Sequence, residues 1–477
     1  MTEAYGEAER QLLALTSARP WDADLMLRLG ALQASLLKYP EAAETLRRAI
    51  VLAPDAPQAW HVHEGEKSTD NAFHRAAQVG AALPHVRAAV IEHFAKDAKP
   101  QIALQYIEQS FAENMQSPRI QQRYLSVLRD LGLDAQAASV CETLVQAYSN
   151  AADTATGLQR EDYFLQCATL LQAAGLDGRI DASLKDAVRR IGSVTPRFNA
   201  QTTLMPQTAE RIAALQAQLR GRDAFVFLPG PSAKDFIDQA PAFSGWDFAS
   251  VAIAAHGDVI DSAALGPIGR AVDLLWMSNP AQLRTAEASI VAFLKRGTGI
   301  RLITQPYALG GYDRAQDFVD QFGDRMLFIE PSDRPPAPHA PLRFASGNSL
   351  SVLLQILIWG QPRRLFLIGA DGGGARPNGS GRPYFYAPEV PAGGGDADRD
   401  ETIDRLEILR VNELSVEDAT RRFRLEAKEV DELVGLALRI FRVVFGLQIP
   451  EIYNCCPYSA HEAFPKITIA EALTMKP

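Results

Sequence analysis

Hydrophobic periodicity changes character once along this chain, at Phe225, and that change limits the fold more than any other feature. Before it, apolar residues recur at three- and four-residue spacings, the pattern of helices that bury one stripe. After it, short β-rich runs alternate with stretches long enough for a crossover helix. A chain of 477 residues exceeds what one hydrophobic core can organise. The spacing therefore predicts a helical domain over residues 1–200, a linker or helix over 201–221, and an α/β domain over 222–477.

Repetition is clearest between Asp24 and Pro54 (DLMLRLGALQASLLKYPEAAETLRRAIVLAP). With Ala23 as the first position of a period of about 34 residues, Met26, Leu29, Gly30, Ala42, Leu46, Ala49 and Pro54 fall where the tetratricopeptide pattern wants them. Small residues at Gly30, Ala42 and Ala49 let two antiparallel helices approach closely, and Pro54 ends the second. Gln33 departs from the pattern, which prefers an aromatic residue there. Trp60 opens a second unit that then degenerates, with His63 and Glu64 in place of Leu-Gly. Further hairpins are expected over Ser117–Ser149 and over Arg160–Ile191, the latter broken near Gly175–Gly178. One unit cannot bury its own apolar face, so several must stack. The concave surface such stacks form suits a protein partner; packing against the second domain, or dimerisation, is the alternative.

The second half reads AFVFLPG, FASVAIA, VDLLWMSNP, GIRLITQP, RMLFIEP, RRLFLIGAD and EIYNCCP, each run bounded by Gly, Pro, Asn or Asp. Continuous apolar strands joined by helices imply a mainly parallel sheet covered on both faces. Ligands of such sheets bind beyond the carboxyl ends of the strands, so the residues that end each run are the candidates. They are Gly230-Pro231-Ser232, His256-Gly257-Asp258, Ser278-Asn279-Pro280, Ser346-Gly347-Asn348, Gly369-Ala370-Asp371, and Asn454-Cys455-Cys456-Pro457 leading to His461. A Gly-Pro-Ser turn lets backbone approach a phosphate or ribose, or simply caps a helix through Ser232. Asn279 could read a base or ribose, or form a plain turn. The Gly-rich segment from Gly372 to Asp400 carries Arg376, Arg382, Tyr384, Phe385 and Tyr386, and a loop of that length usually serves function.

Charge and composition narrow the partners. A net charge of −9 supplies no basic field to gather nucleic acid. The first residues lack an apolar signal core, and the longest apolar run, Leu350–Trp359, is too short to span a bilayer. Cys141, Cys167, Cys455 and Cys456 show no CxxC spacing, so they read as buried, reduced thiols of a cytoplasmic protein.

Taken in order, these motifs form a set: a Gly-Pro-Ser turn, Asn-Pro after a later strand, Ser-Gly before an apolar helix, then Gly-x-Asp, Tyr-rich lid residues and Cys-Pro-x-Ser. The set resembles the bacterial sialyltransferases that use CMP-sialic acid. It is still more similar to the motility accessory factors, glycosyltransferases of flagellin, and the archaeal 6-hydroxymethylpterin diphosphokinases share the domain. The resemblance spans roughly residues 222–470 and implies a Rossmann-like, GT-A-variant domain behind the repeats. It implies that Gly230, Pro231 and Ser232 lie beside the cytidine nucleotide and that Asn279 contacts it. Ser346, Gly347 and Asn348 would meet the sugar carboxylate or phosphate, and Tyr384 and Tyr386 the departing phosphate. Such enzymes need no divalent metal or cofactor, so hydroxyls, backbone N–H groups or arginines, here Arg376 and Arg382, must meet the leaving charge.

Two departures stand out. Pro229 replaces the Asn that precedes Gly-Pro-Ser in the sialyltransferases, and no His lies between Asp400 and Leu433, where their catalytic His is found. A general base contributes about 10²–10⁴-fold, so another group must supply it. His256, His461 and Asp371 are the candidates carried forward, with His339 and Asp258 behind them. The expectation is a glycosyltransferase moving a nonulosonic-acid-type sugar from a CMP-activated donor to a protein acceptor, with flagellin the natural guess, docked on the helical repeats. The alternatives are a pterin-type diphosphokinase, which would need ATP, Mg²⁺ and clustered carboxylates, or a non-catalytic repeat adaptor.

Overall fold

The computed structural model describes residues 2–35, 41, 44–45, 48–49, 84–96, 99–113, 117–192, 194–198, 209–228, 230, 232–239, 242, 245–253, 272–277, 280–309, 314–332, 334–344, 349–372 and 416–475. The chain divides into two compact units. One holds Met1–Glu142 with Ala173–Gly175, and the other holds Thr143–Gln172 with the described residues from Leu176 onward.

The first unit is helical: α1 (Thr2–Ala18), α2 (Ala23–Ser35), α3 (Pro84–Lys96), α4 (Pro100–Ala112) and α5 (Pro118–Asp130). Proline opens α4 and α5, where its missing N–H costs nothing, and Ser117 caps α5 by accepting from Ile120 N at 3.2 Å. Val90, Phe94, Ile107, Ile120 and Val127 share one apolar core. Within the clearest repeat, Met26, Leu29, Gly30 and Ala49 are buried. Gln33 is buried too, and its side-chain carbonyl accepts from Thr45 Oγ1 at 2.8 Å. A polar pair thus fills the space where the repeat pattern prefers an aromatic ring. Ala42, Leu46, Pro54 and Trp60 lie outside the described residues.

The helices α6 (Asp134–Thr154), α7 (Gly157–Ala173) and α8 (Asp177–Ile191) follow. The break between the last two falls at Ala174–Leu176, one residue before the expected Gly175–Gly178. Sequence periodicity groups α7 and α8 with the repeats, yet most of α7 and all of α8 belong to the second unit. Charge explains this. Glu161 accepts from Arg197 at 2.7 Å and pairs with His339 Nδ1 at 2.7 Å, while Asp162 accepts from Arg334 at 2.6 Å and Arg343 at 2.7 Å. Buried carboxylates of this kind are held where their partners are.

The second unit is built on a seven-stranded parallel sheet. Its strands are β1 (Asp223–Phe227), β2 (Phe248–Ile253), β3 (Leu274–Met277), β4 (Leu302–Thr304), β5 (Met326–Phe328), β8 (Arg364–Ile368) and β9 (Glu451–Asn454). All seven expected runs form strands, and their order in the sheet is β5-β4-β3-β2-β1-β8-β9. The two-residue strands β6 (Glu330–Pro331) and β7 (Arg343–Phe344) pair separately.

Alternate residues of each strand face opposite sides, and both sides are apolar. Phe225, Phe227, Met277, Phe366 and Ile368 pack with α10 (Ala233–Gln239), α11 (Pro280–Lys295), α12 (Ala315–Phe322) and α15 (Ile469–Thr474). Ala224, Val226, Trp276, Leu365 and Leu367 pack with α9 (Ala209–Leu219), α13 (Ser349–Trp359) and α14 (Val416–Val443). The segment expected as linker or helix over 201–221 thus contributes α9 to this core. Arg439 and Arg442 of α14 reach Asp177 O at 2.8 Å and Asp181 at 3.0 Å, which ties α8 to the same layer.

At the amino ends of β1 and β8, Asp223 is fully buried and accepts from Trp246, Arg363 and Arg364. Burial works to raise its pKa, but the hydrogen bonds from Arg364, Arg363 and Trp246 outweigh that and hold the carboxyl below the ordinary range. A depressed carboxylate stabilises the fold above the unfolded value near about 3.9, and that stabilisation fades as pH falls through the folded value. Asp223→Asn should cost about 3 kcal/mol in urea unfolding at pH 7, with the gap to wild type narrowing below about pH 4.

Candidate functional site

The connections from β1 to β5 step outward along one side of the sheet, and the chain then returns to place β8 against the other side of β1. Strand order therefore reverses between β1 and β8, and ligands of open α/β sheets bind outside the carboxyl ends at such a reversal. Gly230 and Ser232 follow β1 at this point, and Gly369-Ala370-Asp371 follow β8.

These two turns touch too closely for side chains. Gly230 N donates to Gly369 O at 3.1 Å, and a Cβ on Gly230 would fall 2.0 Å from Asp371 Oδ2 and 2.2 Å from Gly369 O. Gly369 has φ of +75°, and a Cβ there would lie 2.3 Å from Leu228 O. Glycine at both places is a packing requirement.

Asp371 is 7% exposed. Its Oδ2 accepts from Ser232 N at 3.1 Å and Ser232 Oγ at 3.0 Å, and its Oδ1 accepts from the Cys456 thiol at 3.1 Å. The Ser232 hydroxyl thus serves Asp371, where the sequence alone leaves a helix cap as an equal reading. The N–H groups of Gly230 and Ser232 are both spent inside the protein, so neither is free to meet a phosphate. Burial and the neighbouring Asp371 push the Cys456 thiol up to about 12; burial and Cys456 do the same to Cys455. Neither is a thiolate nucleophile at neutral pH.

The loop after β9 wraps the end of β8. Asn454 accepts from Cys456 N at 3.0 Å and donates to Ala370 O at 3.3 Å. Ser459 Oγ donates to Ala370 O at 2.5 Å and accepts from His461 N at 3.0 Å, and Ala460 N donates to Asp371 O at 2.9 Å. His461 is thereby delivered beside Gly372, where a Cβ would lie 3.0 Å from its Nε2. Its Nδ1 meets Asp431 Oδ1 of α14 at 2.8 Å. Asp431 Oδ2 accepts from Glu462 N at 2.5 Å and Ala463 N at 3.1 Å.

Of the sequence candidates, Gly230, Ser232, Asp371 and His461 come together here. Pro231, His256, Asn279, Ser346, Gly347, Asn348, Arg382, Tyr384 and Tyr386 lie outside the described residues. Trp276 Nε1 of β3 donates to Ser349 Oγ, the first residue of α13, at 3.0 Å. Among the described residues no group of three or more His, Cys, Asp or Glu could hold a metal ion, and no helix is long and apolar enough to cross a membrane. Sequence reasoning missed Asp431. It sits mid-helix in a charged stretch (EVDELVG) that reads as an ordinary solvated face, and no local signal marks it.

No family model matches the chain, and no curated protein matches it. Solved structures offer distant likenesses. The structure of MamA is 15% identical over 33% of this chain and 90% of its own, with a TM-score of 0.26. YrrB, described as a TPR protein with an unusual peptide-binding site, is 16% identical over 38% and 91%, with a TM-score of 0.25. An O-GlcNAc transferase of Thermobaculum terrenum is 11% identical over 89% and 93%, with a TM-score of 0.24. Likeness at these scores decides neither fold nor activity.

Two outcomes test the site's construction. Gly230→Ala forces the two turns apart and should cost about 1–3 kcal/mol in thermal or chemical unfolding. Cys455 and Cys456 should resist iodoacetamide at pH 8 in the folded chain and react once it is unfolded, as read by peptide mass spectrometry.

Proposed function

We propose that the chain is a glycosyltransferase that moves a nonulosonic-acid-type sugar from a CMP-activated donor to a protein acceptor. The observation that carries this reading is the meeting of Gly230, Ser232, Asp371 and the His461 loop at the reversal of strand order, where open α/β sheets take nucleotides. The domain is read as a Rossmann-like, GT-A-variant fold. Gly230, Pro231 and Ser232 shape the nucleotide crevice, and Asn279 contacts the nucleotide. Ser346, Gly347 and Asn348 meet the donor's acidic groups. Tyr384 and Tyr386 hydrogen-bond the departing phosphate and Arg382 meets its charge, a role that needs donors already in place as charge develops. No metal or cofactor is assigned. The helical hairpins hold the acceptor, with flagellin the natural candidate, and tethering raises its local concentration to about millimolar where the geometry permits.

Calorimetry on the full chain with CMP, UDP and ATP tests the donor class. CMP should bind without added metal and more tightly than UDP. A Mg²⁺-dependent preference for ATP would replace the reading with diphosphate transfer, and no nucleotide binding at all would leave an adaptor.

A further inference from the structure

We infer that His461 is the general base of this site and that Asp431 is the residue that positions it. The inference rests on the transferase reading above.

Three candidate bases arise from the sequence, and geometry separates the two that can be compared. Asp371 is buried, and both of its oxygens already accept hydrogen bonds, from Ser232 and Cys456. A carboxylate so engaged braces the strand ends; taking a substrate proton would break the brace. His461 is 4% exposed, with a different balance. Nδ1 is occupied by Asp431, whereas Nε2 has no hydrogen-bond partner among the described residues and lies against Gly372, at the carboxyl end of β8.

Asp431 sets which nitrogen is the base. Both of its oxygens act as acceptors, one from the His461 ring and the other from two backbone N–H groups. The ring proton therefore sits on Nδ1, and the Nε2 lone pair is free. An acceptor hydroxyl holds its proton tightly at neutral pH and needs such a base. In the transfer step Nε2 takes the hydroxyl proton while that oxygen forms a bond to the anomeric carbon. The bond from that carbon to the phosphate oxygen breaks, and its electron pair leaves with CMP. The matching acceptor class is an alcohol, such as a serine or threonine side chain.

Asp431→Asn gives a sharp test. Two backbone N–H groups outcompete one ring N–H for the single amide oxygen, so the amide NH₂ turns toward His461. Nδ1 must then accept, and the proton moves to Nε2. Nitrogen-15 NMR of the full chain with labelled histidine, assigned through His461→Gln, reads this directly. Wild type should show the Nδ1–H form and Asp431→Asn the Nε2–H form. Turnover of CMP-N-acetylneuraminate, followed as CMP release, should fall about 10²–10⁴-fold in Asp431→Asn, with CMP affinity and the unfolding midpoint retained. Asp431→Glu should restore part of the rate.

Nε2–H in wild type, or an Asn variant with unchanged tautomer and rate, overturns the inference. Failure of wild type to bind CMP overturns the transferase reading instead, and the NMR result then judges the pairing by itself. CMP binding without any turnover removes the base role.

Discussion

A carboxylate withdrawn from water must find its hydrogen bonds inside the protein, and Asp371 finds them on two other strand ends. Through this one group the turn after β1 and the loop after β9 are clipped to the turn after β8. Losing any partner would leave buried charge short of a bond, a penalty of about 1–3 kcal/mol or more. The close approach of Gly230 to Gly369 follows from it, because the clip works only when the two turns are in contact. So does the path of the chain that ends at His461, since Ala460 N reaches the Asp371 backbone.

The sheet carries a buried aspartate at each end of the β1–β8 pair, and the two are treated differently. Asp223 at the amino end is met by two guanidinium groups and an indole N–H, so its charge is fully compensated and tied to stability. Among the described residues, Asp371 at the carboxyl end is met by neutral donors: a backbone N–H, a hydroxyl and a thiol. Neutral donors hold that carboxylate in place.

How far the sequence carries depends on whether a feature is local. The seven strands were readable because each is a short apolar run with breakers at both ends, and nothing distant is needed to recognise one. The strand-end candidates Gly230, Ser232 and Asp371 were readable for the same reason. Their mutual geometry was not, because Ser232 and Asp371 are 139 residues apart and meet only once β1 and β8 pair. The assignment of α7 to the second unit was hidden likewise. Its periodicity is that of any hairpin helix, and the deciding contacts are Glu161 and Asp162 with arginines and a histidine more than thirty residues away. Gln33 shows the opposite case: a mismatch visible in one helix is resolved by Thr45, 12 residues further on.

The base is where these limits matter most. The stretch ahead of α14 holds no histidine. The structure instead places a carboxylate on that helix, Asp431, against a histidine that follows the last strand. A positioned base needs an imidazole, an acceptor that fixes its tautomer and a backbone that fixes the acceptor, and none of these must come from one segment. Here Glu462 and Ala463 hold Asp431 through their N–H groups while their own loop presents His461, so one short loop orients both members of the pair. A missing histidine at one place in the sequence therefore does not imply a missing base.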